Sequence, residues 1–387
     1  MTDARLVLLL CVAAVFSMTG FSTWPALLPQ LQAQWQLSGT EAGAIGGSYF
    51  AGYMVAVPFL SGLTDRVDAR RVYVGACVLA AVGHFGFALL AQGTLTACLL
   101  QAIGGAGLAG TYMPGLKALT DRVGGSRQPR YIAYYTSTFG IGAAVSYAIS
   151  GWLALGDWRA AFVAGGVGPF IAIALVLVGM KPLAPQAGHA PGLAAQAEAL
   201  RDPQVRTFVL GYAVHCWELF GLRSWIVGLL AFSVTRGDFA LAPATAAALV
   251  NLIGIPASIL GNEVAGRGDR RAYIARIMLA SGLMAWLVGA AASWPWLLFA
   301  LLFLYQVLVM GDSAALTAGL VAATDPRRRG AVMAVYSMAG FGAGFLSPLV
   351  AGMVLDLAGG HQSAMAWLLA TGTLGLGCLA AAPRLRR

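Results

Sequence analysis

Twelve apolar runs, separated by short turns that carry most of the charge, leave this chain few ways to fold. They fall at roughly 6–29, 42–63, 72–91, 95–119, 131–154, 160–180, 207–231, 241–262, 272–292, 296–321, 331–355 and 364–382, each about 20 residues, the length with which a helix crosses a bilayer core. In lipid no water pairs a stray N–H or C=O, so each run must be helical. Composition agrees, because 59% hydrophobic and 10% charged residues in a chain of 387 lie outside the soluble range. The expected fold is an all-α polytopic membrane protein with twelve transmembrane helices. The first run follows Arg5 directly and has the length of a signal sequence. It lacks a small-residue cleavage site and has a counterpart mid-chain, so it is read as the first helix.

The chain also repeats itself. Gly62, Arg70 and Arg71 return as Gly261, Arg270 and Arg271; Gly20 and Trp24 return as Gly221 and Trp225. Ser137, Gly140 and Gly142 are answered by Ser337, Gly340 and Gly342, and Leu119-Thr120-Asp121 by Ala323-Thr324-Asp325. Matches at offsets near 200 mark two copies of a unit of roughly 190 residues. The expected domains are a six-helix bundle over 1–183, a cytoplasmic linker over 184–205 and a second six-helix bundle over 206–387. Within the linker, AAQAEALRD is expected to form a short surface helix.

Basic residues orient the chain. Of its 24 Lys and Arg, only Arg159 and Arg236 fall on one set of loops; Arg223 is inside the seventh run, and the rest lie on the opposite loops and at the termini. The positive-inside rule then places both termini in the cytoplasm. The same asymmetry accounts for the net charge of +9, so no nucleic-acid partner is inferred. Cys11, Cys77, Cys98, Cys216 and Cys378 fall singly within runs, without metal-ligand spacing or paired outer positions, so neither a disulfide nor a metal site is expected. No nucleophile elbow, phosphate-binding glycine loop or cofactor motif is present, which argues against an enzyme.

Between the second and third runs stands SGLTDRVDARR at 61–71. With the two six-helix halves it resembles the major facilitator superfamily, whose loop signature reads roughly G-x-L-[AS]-D-R-x-G-R-R. Leu63, Asp65, Arg66, Arg70 and Arg71 match, while Ser61 and Asp68 replace its glycines. The equivalent loop between the eighth and ninth runs keeps Gly261, Arg267, Arg270 and Arg271, with Ala265 at the Asp position and Glu263 as its stand-in. DWRAAF at 157–162 resembles a W-R-x-x-F run of the same family. The resemblance implies that these charged residues gate a cavity lined mainly by the first, fourth, seventh and tenth runs. Asp65 is expected to partner the arginines, in a turn able to make and break contacts. Two departures weigh against a proton-driven drug exporter: Gln101 replaces the family's Arg, and GIGAAVSYAISG lacks its Gly-Pro.

Ionisable groups at mid-bilayer cost about 2.5–3.5 kcal/mol on insertion scales and mark pathways. Glu218, about 12 residues from Arg206, and Asp312, about 16 from Trp296, lie near the midplane at ~1.5 Å per residue. Desolvation disfavours a charged carboxylate, so such a group can bind and release protons near neutral pH. Glu218, Asp312 and then His215, one turn from Glu218, are the proton-coupling candidates. Arg223 offers a cationic fork for an anion. It stands about 140° from Glu218 on an ideal helix, so the two need a break at Gly221 or separate partners; a structural pair of Arg223 with Asp312 is the plain alternative. Trp24, Ser22 and Thr23 in the first run, Thr111 and Tyr112 in the fourth, and Tyr305, Gln306 and Ser313 in the tenth are further substrate-binding candidates. Lys117 is expected to snorkel to the surface, and His84 to pack or to bond between helices.

The expected function is secondary active transport of a small polar solute by alternating access, proton-coupled, with an organic anion imported by symport. The alternatives are a proton-driven exporter of drugs or metabolites, lined by Tyr49, Tyr53, Trp217 and Trp225, and a non-transporting receptor or assembly protein. The expected partners are the solute, H+ and the lipid of a bacterial inner membrane, the protein a monomer.

Overall fold

The computed structural model describes residues 2–125, 127–185, 198, 200–325 and 328–386. Among them are fourteen helices: α1 (Asp3–Ser17), α2 (Thr23–Trp35), α3 (Gly39–Leu63), α4 (Ala69–Leu90), α5 (Thr94–Thr120), α6 (Gln128–Leu153), α7 (Trp158–Gly179), α8 (Pro203–Val234), α9 (Pro243–Gly266), α10 (Arg270–Ala290), α11 (Pro295–Gly311), α12 (Ser313–Ala323), α13 (Arg329–Leu357) and α14 (Ala364–Leu385). The twelve runs yield fourteen helices because the first and the tenth are each broken. Ten segments, α11 and α12 counted together as Pro295–Ala323, are long and apolar enough to cross a membrane. The other two runs are the broken first and α6, which is 26 residues long but polar at its start, with Gln128, Arg130 and Thr136-Ser137-Thr138. Most of the AAQAEALRD stretch lies outside the described residues.

By internal packing the chain divides into two units, one of residues 1–23 and 48–190, the other of 24–47 and 191–387. In the first, α4 packs against α5 and α7, around a core that includes Leu10, Tyr73, Cys77, Tyr135 and Val176. In the second, α10 packs against α14 and α8 against α13, with Phe208, Ile274, Met278, Leu316 and Val332 at the centre. Asp68, Asp157, Asp202, Asp269 and Ser363 cap the starts of α4, α7, α8, α10 and α14, each accepting a first-turn backbone N–H, groups that no helical carbonyl can reach. Glycine sets the closest approach in the first unit. A Cβ on Gly105 of α5 would run into the Tyr49 carbonyl, and one on Gly52 of α3 into that of Ala102.

The break in the first run has a clear cause. From 18 to 23 the backbone turns more tightly: Met18 N–H reaches Val15 O at 3.1 Å, Phe21 N–H reaches Met18 O at 2.9 Å and Thr23 N–H reaches Gly20 O at 3.2 Å. The groups freed by this must be paired inside lipid, and α6 supplies the partners. Ser146 Oγ accepts from Ser22 N–H at 2.8 Å and donates to Thr19 O at 2.6 Å. The His84 ring fills the space a side chain on Gly20 would need.

Candidate functional site

The second unit holds the buried charge. α8 is continuous over 32 residues, so Gly221 makes no break and Glu218 and Arg223 turn to separate partners. Glu218 is 1% exposed. Its Oε2 accepts from Ser281 Oγ of α10 at 2.9 Å and from Cys378 Sγ of α14 at 3.1 Å, and its Oε1 from the Tyr305 hydroxyl of α11 at 3.0 Å. Three helices thus converge on one carboxylate by donating to it. His215, one turn earlier, places Nδ1 2.7 Å from Asp312 Oδ1 with both side chains buried, though out of line for a hydrogen bond. Asp312 is the single residue between α11 and α12, and the Tyr273 hydroxyl donates to the neighbouring Gly311 carbonyl at 3.3 Å.

Arg223 Nε donates to Asn251 Oδ1 of α9 at 2.9 Å. Asn251 in turn donates to Ala247 O at 2.9 Å. Gln306 of α11 is fully buried beside Gly254, one turn along α9 from Asn251. Ser281, Cys378 and Asn251 escape sequence reading. The available signal was depth, since Ser281 and Asn251 are isolated polar residues within apolar runs.

The other candidates take less concerted positions. Ser22 and Thr23 face α6, Ser22 Oγ donating to Ala143 O at 3.1 Å and Thr23 Oγ1 lying 2.9 Å from Ser150 Oγ. Trp24 is packed in the second unit, its Nε1 donating to Ala42 O at 3.2 Å. Thr111 bonds back to Leu108 O on its own helix, and Tyr112 stacks on Tyr135. Tyr305 and Gln306 join the buried group above, while Ser313 is half-buried and its carbonyl accepts from Thr317. His84 turns Nδ1 to the Ala80 carbonyl of its own helix at 2.7 Å, and Lys117 pairs with Asp121 at 3.1 Å.

In the loop between α3 and α4 the pivot is Asp68. It accepts from Arg122 Nη2 at 3.0 Å, from Arg70 N–H at 3.0 Å and from Leu183 N–H at 2.9 Å. Burial pushes its carboxyl up, but these three donors outweigh it and hold the group below the ordinary carboxylate value. Arg70 Nη2 donates to Leu177 O at 2.8 Å. Asp65 is half-buried and Arg66 and Arg71 are exposed, while the side-chain bond to an arginine runs through Asp68. In the second loop Arg270 donates to Asn262 Oδ1 at 2.8 Å and Arg271 lies over the Phe208 ring, while Glu263 and Arg267 are exposed.

Residues 9–261, well over half of the chain, match the family model of the Major Facilitator Superfamily. The chain belongs to that superfamily. Among solved structures this transporter is similar to a bacterial homologue of the human lysosomal transporter Spinster, in an inward-facing and occupied conformation, with a TM-score of 0.82 and 14% identity over 99% of this chain and 96% of that one. It is also similar to the nucleoside transporter NupG, with a TM-score of 0.75 and 16% identity over 98% of each chain. At such identity the likeness is one of fold. No curated protein matches the transporter in sequence.

Proposed function

We propose that this transporter couples proton movement to the passage of a small polar solute, an organic anion, by alternating access between two six-helix halves in a bacterial inner membrane, with both termini cytoplasmic. The observation that carries the reading is Glu218, a buried carboxylate gripped by donors from α10, α11 and α14. The His215–Asp312 pair lies close by on α8 and the α11–α12 junction. A group so buried has little reason to be charged for stability alone, and in transporters such residues mark proton and ion pathways. Arg223, 4% exposed on the same helix, supplies the cationic fork for the anion. Import by symport is favoured over export, since Gln101 and the proline-free GIGAAVSYAISG depart from the exporter signatures.

The test is a thermal-shift screen of carboxylates, inorganic anions, sugars, amino acids and lipophilic cations against the wild type and Arg223→Ala. At a hundredfold excess over Kd a specific ligand adds about 2.7 kcal/mol. Anions that stabilise the wild type and not the variant are the expected result. Hits confined to lipophilic cations, indifferent to Arg223→Ala, would overturn the anion reading in favour of the exporter.

A further inference from the structure

His215 is the innermost of three rings lying face to face. Tyr336 of α13 stacks on Tyr212 of α8 with centroids 3.7 Å apart and planes 9° from parallel. Tyr212 continues to His215 at 5.8 Å and 17°. Gly340, one turn after Tyr336, leaves the room that Tyr212 occupies, since a Cβ there would strike the Tyr212 ring. The outer ring is tied down as well, because the Tyr336 hydroxyl lies 3.0 Å from Thr317 Oγ1 on α12. Opposite the imidazole, Asp312 is the single turn residue between α11 and α12, and its carbonyl opens α12 by accepting from Leu316 N–H at 2.8 Å. Other titratable groups around the pair include Cys216 and Glu218 on α8, Tyr273 on α10 and Cys378 on α14, with Arg223 farther along α8.

From this geometry we propose that Tyr212 and Tyr336 are positioning residues, holding the His215 imidazole as the fixed member of the His215–Asp312 pair, while Asp312 at the helix break is the member that moves. Offset-stacked rings restrict tilt and rotation of the middle and end members. The 2.7 Å approach, out of line for a hydrogen bond, is then brought into line by a shift of the carboxylate and not of the ring. A small displacement of α12 against α11 thereby makes or breaks the pair. The inference rests on the proton-coupling reading of this site and adds how its geometry is set.

The experiment is ¹⁵N spectroscopy of the full-length protein, labelled at its 4 histidines, in lipid nanodiscs, with the His215 ring signal assigned by its loss in His215→Gln. Expected is one sharp ring signal in the wild type and in Tyr212→Phe, which keeps the stack. Loss or splitting of that signal is expected in Tyr212→Leu, and again in Tyr336→Leu should the first variant not fold. Asp312→Asn should leave the signal sharp, because the tyrosines and not the carboxylate hold the ring. An unchanged signal in both leucine variants, or a ring that loosens in Asp312→Asn, overturns the proposal. Gradient-driven uptake by Glu218 and Asp312 variants tests the coupling reading separately. A loose ring in a coupled transporter and a fixed ring in an uncoupled one therefore distinguish the two failures.

Discussion

Replacing Glu218 separates its structural from its coupling role, because its three partners all donate to it. Glu218→Gln retains one carbonyl oxygen. Placed where Oε2 now lies, that oxygen still accepts from Ser281 and Cys378, and only the Tyr305 hydroxyl must turn to accept from the new amide. The cost is about one weak bond, ~0.6 kcal/mol by the average for membrane proteins. Glu218→Ala removes both acceptor oxygens and with them all three bonds. Three bonds at ~0.6 kcal/mol give about 2 kcal/mol, and the cavity with its orphaned donors raises this to about 4 kcal/mol. Thermal unfolding of the purified variants should therefore show a small loss for Gln and a several-fold larger one for Ala. Uptake driven by a pH gradient, using whichever solute stabilises the wild type, should be lost in both, since neither side chain titrates. Equal destabilisation by the two variants would refute the donor count. Undiminished gradient-driven accumulation in Glu218→Gln would refute the coupling role.

Asp68→Ala should cost about 2–3 kcal/mol, for an acceptor of charge-assisted bonds, whereas Asp65→Asn should leave thermal stability within about 0.5 kcal/mol; the two melting curves decide between them as the loop's anchor. Since the folded-state pKa of Asp68 is lowered, its contribution is complete above the ordinary Asp value of 3.8 and is lost as pH falls through the depressed one. Melting temperature against pH should thus show an acid-side fall that shrinks in Asp68→Asn, and parallel curves would count against the clasp. Gly105→Ala should destabilise by about 1–3 kcal/mol through overpacking of α5 on α3, while Gly75→Ala, with nothing within 4 Å of the added Cβ, should be neutral in the same assay. Ser146→Ala should cost about 1–3 kcal/mol by stranding Ser22 N–H in lipid; hydrogen exchange of that amide, measured beside the wild type, should quicken.

Length and hydropathy made the runs legible, because a bilayer demands both of every helix. The repeat was read from arginines and glycines, residues for which chemistry has few substitutes. The depth of Glu218, Asp312 and Arg223 could be counted from run ends, but their partners could not. Ser281 is 63 residues from Glu218 and Cys378 is 160 away, and nothing local says which face of α10 or α14 turns inward. The breaks were hidden for a similar reason, since Gly20 is one glycine among 50, and the serine that makes its turn affordable stands on α6. Asp65 fits the loop signature and Asp68 departs from it. The structure centres the clasp on Asp68 because only there do Arg122 and the Leu183 backbone arrive together, at 54 and 115 residues' separation.

The runs paired by the expected repeat bend in different places. The first run is broken at 18–22, while its counterpart α8 is continuous over 32 residues; the tenth is broken at Asp312, while its counterpart α5 runs unbroken for 27. A protein assembled from two copies of either half would carry one kind of joint twice and lack the other. If the two segments are copies of one unit, they are not interchangeable parts. A swap that keeps every helix and every loop arginine would still build a molecule whose bends are in the wrong half.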